Sequence, residues 1–223
     1  MKVIISGASR GIGFETVKMF LSKGHKVLAI SRNTQQLEQL KKEGATTITF
    51  DLTTQSYDPL IQKVSDFGPI DILINNAGAL VNKPFTKLTD KDIKYVYEVN
   101  VFSVFKLIRD LMPHYNTKVH VVNISSVGGV QGSVKFPGLS AYSSSKGALT
   151  ILTECLAEEY KSTDYRFNAL ALGAVQTEML QEAFPDFKSP VTAAQMAHYI
   201  YHFAMKQGEL FNGKVLQVSS STP

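Results

Sequence analysis

The sequence predicts an α/β protein in which helices cover both faces of a doubly wound parallel sheet. Two patterns indicate this fold class. Short apolar segments rich in β-branched residues alternate with helical segments along most of the 223 residues. These apolar segments contain few polar residues, as expected of parallel strands that are buried on both faces. The regular strand–helix order then favours a three-layer α/β/α arrangement.

Seven segments predict strands, at residues 3–5, 26–30, 47–50, 72–74, 119–124, 166–172 and 215–218. Between them, six segments predict helices near residues 12–23, 34–43, 56–67, 90–114, 141–162 and 192–207. No internal repeat, low-complexity tract or linker divides the chain, and its length suits one domain with a sizeable core. We therefore expect a single domain over residues 1–223.

Composition and charge exclude several function classes. Hydrophobic residues make up 44% and charged residues 19% of the chain, and no apolar run is long enough to cross a membrane. The net charge of +4 comes from scattered residues with no long basic run, which predicts no nucleic-acid interface. The sequence shows no metal-ligand pattern, and we expect no metal. The N-terminus is expected to form a strand and not a signal peptide.

Cysteine usage indicates the compartment. Cys155 is the sole cysteine, so no disulfide can form within the chain, and a cytoplasmic location is expected. Cys155 lies in an apolar helical stretch. Because free cysteines are among the most buried residues, we expect its side chain to be packed in the interior.

A glycine-rich turn follows the first predicted strand and reads Ser6-Gly-Ala-Ser-Arg-Gly-Ile-Gly13. Glycines allow a tight turn and a close approach of the backbone to a ligand. The helix that begins near Gly11 would direct its free N–H groups and its positive dipole end at a diphosphate. The spacing differs from the common dinucleotide motif and from a phosphate-binding P-loop. A purely structural turn is the alternative interpretation.

The end of the second strand bears on cofactor choice. An acidic residue there would bind the ribose 2′-hydroxyl of NAD, whereas an arginine accommodates the 2′-phosphate of NADP. This chain has Ser31 and Arg32 at that point, and Arg10 lies in the glycine turn. The two guanidinium groups favour NADP(H), although either arginine could be an ordinary surface residue.

Tyr142 and Lys146 stand four residues apart in a predicted helix. Positions i and i+4 share a helix face, so both side chains can reach one site. A nearby cation favours the phenolate form of tyrosine and lowers its pKa. The pair therefore predicts an acid/base tyrosine, while two unrelated residues on a solvated helix face remain the alternative.

Seven motifs together resemble those of the short-chain dehydrogenase/reductase family, of the single-domain type. They are the glycine turn, Asp51-Leu52, Asn75-Asn-Ala-Gly78, Asn100, Asn123-Ile-Ser-Ser126, Tyr142-Ser-Ser-Ser-Lys146 and Gly173-Ala-Val-Gln-Thr177. They occur in the family's order, and the likeness covers essentially the whole chain. The resemblance implies a Rossmann fold, a bound NADP(H) and an oxidoreductase that acts on CH–OH and C=O groups.

The resemblance also implies four catalytic residues. Tyr142 would exchange a proton with the substrate oxygen, and Ser126 would hydrogen-bond that oxygen as its negative charge develops. Lys146 would bind the nicotinamide ribose and lower the pKa of Tyr142. Asn100 would help to hold Lys146 and a proton-relaying water. Ser125 competes with Ser126 for the hydroxyl role, and the family pattern favours Ser126.

The cofactor would be lined by residues from several of these motifs. Asp51 and Leu52 would lie near the adenine, and Val175 and Thr177 would meet the carboxamide and phosphates. The expected cofactor-binding set is Gly7, Ser9, Arg10, Gly11, Ile12, Gly13, Ser31, Arg32, Asp51, Leu52, Asn76, Ala77, Gly78, Tyr142, Lys146, Gly173, Val175 and Thr177. Turn-forming or capping roles are the alternatives for Asn76 and Asp51.

Three features depart from the family pattern. The interval of 16 residues between Ser126 and Tyr142 is longer than usual, and this loop is expected to border the substrate. Leu172 stands where proline is frequent, and Ser219-Ser220 replaces a frequent glycine pair. The segment after Thr177 is expected to be a short lid whose apolar residues line a pocket or pack on the core.

The sequence therefore predicts an NADP(H)-dependent reductase of a small or apolar carbonyl. A non-catalytic NADP(H)-binding redox regulator is the alternative, which the presence of all four catalytic residues disfavours. A sugar-nucleotide epimerase of the extended branch is disfavoured, since little chain follows the sixth strand. The resemblance further implies a homodimer or homotetramer, assembled through the helices containing Asn100 and Tyr142 and through the last strand.

Overall fold

The computed structural model describes residues 1–206 and 210–219. The described residues form a seven-stranded parallel sheet in the order β3-β2-β1-β4-β5-β6-β7. The strands are β1 (Lys2–Ser6), β2 (Lys26–Ser31), β3 (Thr46–Thr49), β4 (Ile70–Asn75), β5 (Tyr115–Ser126), β6 (Asp164–Leu172) and β7 (Val215–Val218). This topology confirms the predicted fold class.

Eight helices connect these strands in the described residues. They are α1 (Gly11–Ser22), α2 (Thr34–Lys42), α3 (Asp58–Phe67), α4 (Asp90–Tyr97), α5 (Ser103–Leu111), α6 (Ser140–Glu159), α7 (Glu178–Ala183) and α8 (Ala193–Met205). Asn33, Thr89, Thr177 and Thr192 cap α2, α4, α7 and α8, because each side-chain oxygen accepts a backbone N–H of the first turn. These caps fix where the helices begin.

The core consists of two hydrophobic clusters, one on each face of the sheet. Val3 and Ile5 of β1 face the cluster that contains Phe20 of α1 and Phe203 of α8. Ile4 faces the opposite cluster, to which α3, α5 and α6 contribute. Successive side chains of a strand point to opposite faces, so an unbroken apolar strand supplies both clusters. The near-continuous apolar strand segments follow from this two-sided burial.

The strand order reverses next to β1. The chain runs outward from β1 through β2 to β3, then crosses to β4 on the other side of β1. In such sheets ligands bind in the crevice outside the carboxyl ends of the strands, at this switch point. The glycine turn after β1 and the Asn75–Gly78 segment after β4 both begin at that edge.

The long helix predicted over residues 90–114 is interrupted. Between α4 and α5 the chain forms a π-helical segment at Glu98–Phe102, and a short 3-10 turn at Met112–His114 leads into β5. β5 also begins at Tyr115, four residues before the predicted start. The continuous apolar pattern hides the interruption, because a single extra residue in one turn leaves the same face buried.

The expectation that Cys155 is buried is wrong. Cys155 is exposed, and Ile151, one turn earlier on α6, is also exposed. α6 packs on the sheet through residues such as Leu149 and Leu152. Its apolar stretch therefore includes a face that the described chain does not cover.

Two sequence expectations reach beyond the described residues. Gln207, at the end of the last predicted helix, and Ser220, of the Ser219-Ser220 pair, lie outside them. Within the described residues, no helix combines the length and the apolar character that a membrane span requires.

Candidate active site

The glycine turn packs tightly against the loop that follows β4. Gly7 has a φ of +67°, and a Cβ on it would lie 2.6 Å from the Cα of Ala77. A Cβ on Gly13 would lie 2.2 Å from the carbonyl oxygen of Gly7. Both positions therefore require glycine, and the turn closes onto the start of α1.

Hydrogen bonds join the same two loops. The Ser6 hydroxyl accepts the backbone N–H groups of Asn76 and Ala77, each at 3.1 Å. The Asn76 side-chain amide donates to the carbonyl oxygens of Ser6 at 3.1 Å and Gly7 at 3.0 Å. Asn76 thus holds the glycine turn in place. Ser6 has an equal part in this arrangement, although the sequence alone predicts no role for it.

A cleft of about 820 Å³ lies beside the start of α1, and its lining includes Ser9, Arg10 and Gly11. Arg10 occupies the N-cap position, but its side chain does not cap the helix, and the first turn contains no acidic residue. A helix start of this kind has free N–H groups and a positive dipole end. Its glycine cradle and positive charge suit the diphosphate of a dinucleotide.

The expected adenosine end is formed by Ser31, Arg32, Asp51 and Leu52. Arg32 Nη1 lies 3.9 Å from the Oδ2 atom of Asp51. Burial raises the pKa of Asp51, but hydrogen bonds from Thr53 and the charge of Arg32 lower it below the ordinary value. The structure thus places one arginine and one carboxylate side by side after β2 and β3. Leu52 is buried.

Asn100 lies in the π-helical segment and is fully buried. Its Nδ2 atom donates to the Ala79 carbonyl oxygen and to the Ser145 hydroxyl, both at 2.9 Å. Its Oδ1 atom accepts the Ala79 N–H at 2.7 Å. Single π-helical turns often occur at functional sites. Here the turn directs the amide toward the loop after β4 and the helix that contains Lys146.

Lys146 is 3% exposed, and its Nζ atom donates to the Ile124 carbonyl oxygen at 2.8 Å. Desolvation lowers the pKa of Lys146 to about 8. A Cβ on Gly78 would lie 3.6 Å from both Lys146 Nζ and Asn100 Oδ1. Lys146 and Asn100 therefore flank the same glycine from different helical segments.

Tyr142 lies on the same face of α6, with its ring centroid 5.9 Å from Lys146 Nζ. Burial raises the pKa of Tyr142, and a hydrogen bond with the Ser126 side chain lowers it to a smaller extent. The Ser125 hydroxyl instead donates to the Lys146 carbonyl oxygen at 3.0 Å. Of the two serines, Ser126 is the one that reaches Tyr142.

Comparisons with known proteins agree with this geometry. The family model described as short chain dehydrogenase matches residues 1–188. The chain belongs to the short-chain dehydrogenase family. It is therefore an oxidoreductase of the class that acts on CH–OH and C=O groups, with a Rossmann-type α/β fold.

Curated relatives share about a third of their residues with this short-chain dehydrogenase. Gluconate 5-dehydrogenase of Gluconobacter oxydans (strain 621H) is 32% identical over 97% of this chain and 92% of that protein. Carbonyl reductase [NADPH] 2 of Sus scrofa is 32% identical over 80% of this chain and 73% of that protein. L-xylulose reductase of Bos taurus is 32% identical over 83% of this chain and 76% of that protein.

A solved structure superposes along nearly the whole chain. 4-Hydroxyisoleucine dehydrogenase complexed with NADH has a TM-score of 0.88 and 26% identity, covering 99% of this chain and 97% of that chain. 3-Ketoacyl-(acyl-carrier-protein) reductase from Brucella melitensis, complexed with NADH, has a TM-score of 0.88 at 24% identity, over 97% and 96% of the two chains. At this lower identity, the second likeness concerns the fold alone.

The structure brings most of the sequence-predicted residues of this short-chain dehydrogenase to one edge of the sheet. Val175 is buried, and the Thr177 hydroxyl caps α7 by accepting the Leu180 N–H at 3.2 Å. A Cβ on Gly173 would lie 2.5 Å from Ser219 Oγ, so this glycine permits close approach of the chain after β7. Leu172 pairs with Val218 within the sheet.

A buried polar chain behind the site was missed by the sequence analysis. Asn75 Nδ2 donates to Asn123 Oδ1 at 2.8 Å, and Asn123 Nδ2 donates to the Thr153 hydroxyl at 2.9 Å. The chain ties β4 to β5 and β5 to α6, the helix that contains Tyr142 and Lys146. The signal in the sequence is an asparagine near the carboxyl end of two adjacent apolar strands.

Proposed function

We propose that this protein is an NADP(H)-dependent oxidoreductase that interconverts a carbonyl and an alcohol, with Tyr142 as the proton donor and acceptor. The observation that supports it best is that Tyr142, Ser126 and Lys146 lie together, with Lys146 and Asn100 next to Gly78 in the loop that packs on the glycine turn. A non-catalytic NADP(H) binder has no need of this complete set.

In reduction, Tyr142 donates its phenolic proton to the substrate oxygen, while the Ser126 hydroxyl hydrogen-bonds the same oxygen and stabilises its growing negative charge. The nicotinamide supplies the hydride when bound. The carbonyl carbon gains the hydride with its electron pair, and the oxygen gains the proton from Tyr142, so the product is a neutral alcohol. Tyr142 is left as a phenolate that must be reprotonated.

The local electrostatics suit this role. Burial raises the pKa of Tyr142, which keeps the phenol protonated and ready to donate near neutral pH. Lys146, whose pKa is about 8, is mostly charged at pH 7. Its ammonium group stabilises the phenolate after proton transfer. Asn100 positions the helix turn next to Lys146 through Ser145.

NADP(H) is proposed over NAD(H) because Ser31 and Arg32 end the second strand where NAD-binding folds carry an acidic residue, and Arg10 lies in the glycine turn. Guanidinium groups bind phosphate through paired, charge-assisted hydrogen bonds. Asp51 lies beside Arg32 and opposes this preference in part. The NADPH relative from Sus scrofa is consistent with the proposed choice.

A small or apolar carbonyl is proposed as the substrate, because the lid formed by α7 is short. Met179, Leu180 and Phe184 are partly buried there, and Phe187 follows them. The loop of residues 127–139 adds the exposed apolar side chains Val134 and Phe136. The proposed enzyme is cytoplasmic, in keeping with its single cysteine.

We also propose that residues 1–223 act as one domain that assembles into a homodimer or homotetramer. α5 and α6 present exposed apolar side chains, including Phe105 and Ile151. A groove of about 520 Å³ separates these helices, lined by residues such as Phe105 and Leu152. Such an apolar surface suits contact between copies of the chain.

The test is turnover of a panel of carbonyls with NADPH, followed by loss of absorbance of the reduced nicotinamide. Tyr142→Phe should abolish reduction while the Kd of NADPH changes little. Tyr199→Phe on α8 is the matched control and should retain activity. Equal turnover by Tyr142→Phe and the wild type would exclude the proton-donor role. Tight NADPH binding without turnover of any carbonyl would instead support the regulator.

A further inference from the structure

Two carboxylates of α7 face the glycine turn. Arg10 Nη1 lies 2.5 Å from Glu182 Oε1, and Arg10 Nη2 lies 3.3 Å from Glu182 Oε2, which makes a two-pronged ion pair. Glu178, one turn earlier, has its Oε2 atom 3.3 Å from the position that a Cβ on Gly11 would take. Residues four apart share a helix face, so this face of α7 is doubly acidic.

The groups that these carboxylates approach are the ones expected to bind phosphate. α1 begins at Gly11 with no acidic residue in its first turn and no side-chain cap from Arg10. Such a helix start attracts an anion. The hydrogen bond to Glu182 raises the pKa of Arg10, and the charges of Glu182 and Glu178 add to that rise against the effect of burial. Both carboxylates therefore act on Arg10.

The C-terminal end of α7 is also attached to the loop that follows β4. The Asn82 side-chain amide donates to the Ala183 carbonyl oxygen at 3.0 Å. α7 thus extends from the glycine turn to this loop, and Glu178 and Glu182 line the cleft that also contains Arg10 and Gly11. The lid is held by the ion pair of Glu182 and, at the adjacent residue, by this hydrogen bond.

We propose that Glu178 and Glu182 form an electrostatic latch, in which lid carboxylates compete with the cofactor's phosphates for Arg10 and the start of α1. The inference rests on the proposed binding of a nicotinamide dinucleotide. Arg10 and the α1 N-terminus release the lid when phosphate replaces the carboxylates. The cofactor therefore loosens the contact between α7 and the glycine turn, while the hydrogen bond from Asn82 to Ala183 is retained.

The two carboxylates have separable roles. Glu178 lies at the helix start that the diphosphate would use, and NADH and NADPH share that group. Glu182 holds Arg10, a proposed partner of the 2′-phosphate, which only NADPH has. Loss of the Glu178 charge should therefore strengthen binding of both dinucleotides, and loss of the Glu182 charge should strengthen binding of NADPH more than that of NADH.

The experiment measures the Kd of NADPH and of NADH by calorimetric titration at low salt. The variants are Glu178→Gln, Glu182→Gln and the control Asp186→Asn, which removes the same charge from an exposed residue just after α7. We expect Glu178→Gln to bind both dinucleotides about two- to fivefold more tightly, given the strength of exposed ion pairs. Glu182→Gln should show a similar gain for NADPH and a smaller gain for NADH.

Asp186→Asn should leave both Kd values unchanged. An equal gain of affinity in all three variants would show that net charge alone explains the effect, and it would overturn the proposed latch. Unchanged or weaker binding in both glutamate variants would overturn it as well. Failure of the proposed function is a separate result. It would show in the wild type, as absence of dinucleotide binding or as a preference for NADH.

Discussion

The Nδ2 atom of Asn100 lies 2.9 Å from the hydroxyl oxygen of Ser145, the residue immediately before Lys146. The same amide satisfies the backbone N–H and carbonyl oxygen of Ala79, next to Gly78. One buried side chain thus joins the loop after β4 to the helix that contains Tyr142 and Lys146. The two walls of the proposed nicotinamide end are fixed relative to each other by this contact.

Replacing Asn100 by alanine should both destabilise the fold and reduce turnover. The buried polar groups of Ala79 would lose their partners, at a cost of about 1–3 kcal/mol. Urea unfolding measures that loss, and kcat measures the effect on the site. Ser145→Ala removes the link from Asn100 to α6 and the hydroxyl's own bond to the Tyr142 carbonyl oxygen, but leaves the Ala79 contacts intact. We therefore expect it to lower kcat with a smaller loss of stability than Asn100→Ala. Wild-type kcat in both variants would contradict a positioning role.

Arg32→Asp should weaken binding of NADPH by about tenfold or more while NADH binding changes little, because a charge-assisted hydrogen bond to phosphate is lost. Titration of each dinucleotide provides the comparison. Lys41→Asp on α2 makes the same change in net charge and is the control. An equal loss of affinity for NADH and NADPH would argue against a 2′-phosphate contact at Arg32.

The rate of carbonyl reduction should fall as the pH rises through about 8, the pKa to which desolvation lowers Lys146. Below that pH the ammonium group stabilises the Tyr142 phenolate; above it the group is neutral and the stabilisation is lost. A pH profile of kcat tests this expectation. Lys146→Arg keeps the charge, so its residual activity should lack the decline near pH 8. An identical decline in that variant would assign it to another group.

The free energy of unfolding should fall between pH 6.5 and pH 4 because of His120. This ring is buried between the Ala204 carbonyl oxygen and the Asn168 amide, and burial lowers its pKa from 6.5 to about 4. The unfolded chain binds the proton first as the pH falls, so stability is full above pH 6.5. The contribution amounts to about 3 kcal/mol. His120→Gln should show a correspondingly shallower pH dependence in urea unfolding, and an unchanged dependence would contradict the assignment.

Ile151→Asp should convert the proposed oligomer to monomers without loss of fold. Ile151 is 59% exposed on α6, so a charge there is tolerated in the isolated chain. The same charge would destabilise an apolar interface, because it would be buried there without a partner. Light scattering after size-exclusion chromatography gives the mass. Glu154→Gln, at another exposed position of α6, is the control. A monomeric wild type would refute the proposed assembly.

The parts of the structure that follow from local chemistry were predictable. Ile4 and Val121 lie in apolar strand segments that indicate two-sided burial, and strand–helix alternation predicts the doubly wound parallel sheet but not its strand order. Tyr142 and Lys146 were assigned to one face by their spacing alone. The family pattern favours Ser126 over Ser125 as the catalytic hydroxyl, and this stays a prediction; the hydrogen bond of Ser125 to the Lys146 carbonyl oxygen is compatible with it.

Features that depend on contacts between distant segments were not predictable. The π-helical turn at Asn100 leaves the apolar pattern unbroken, so it is invisible in the sequence. Glu182 lies 172 positions from Arg10, and no local pattern pairs them. Cys155 was misassigned because an apolar helix does not reveal which of its faces the rest of the chain covers.

The contacts of residues 82 and 83 have an evolutionary consequence. Asn82 holds the end of α7, and the Lys83 N–H donates to the Gly138 carbonyl oxygen at 3.0 Å, within the long loop before Tyr142. A Cβ on Gly138 would lie 2.1 Å from Asn82 Oδ1. Two walls of the proposed substrate pocket are thus coupled through one short segment. Substitutions that change the substrate specificity are therefore expected to occur together in the loop and in the lid when orthologues are compared.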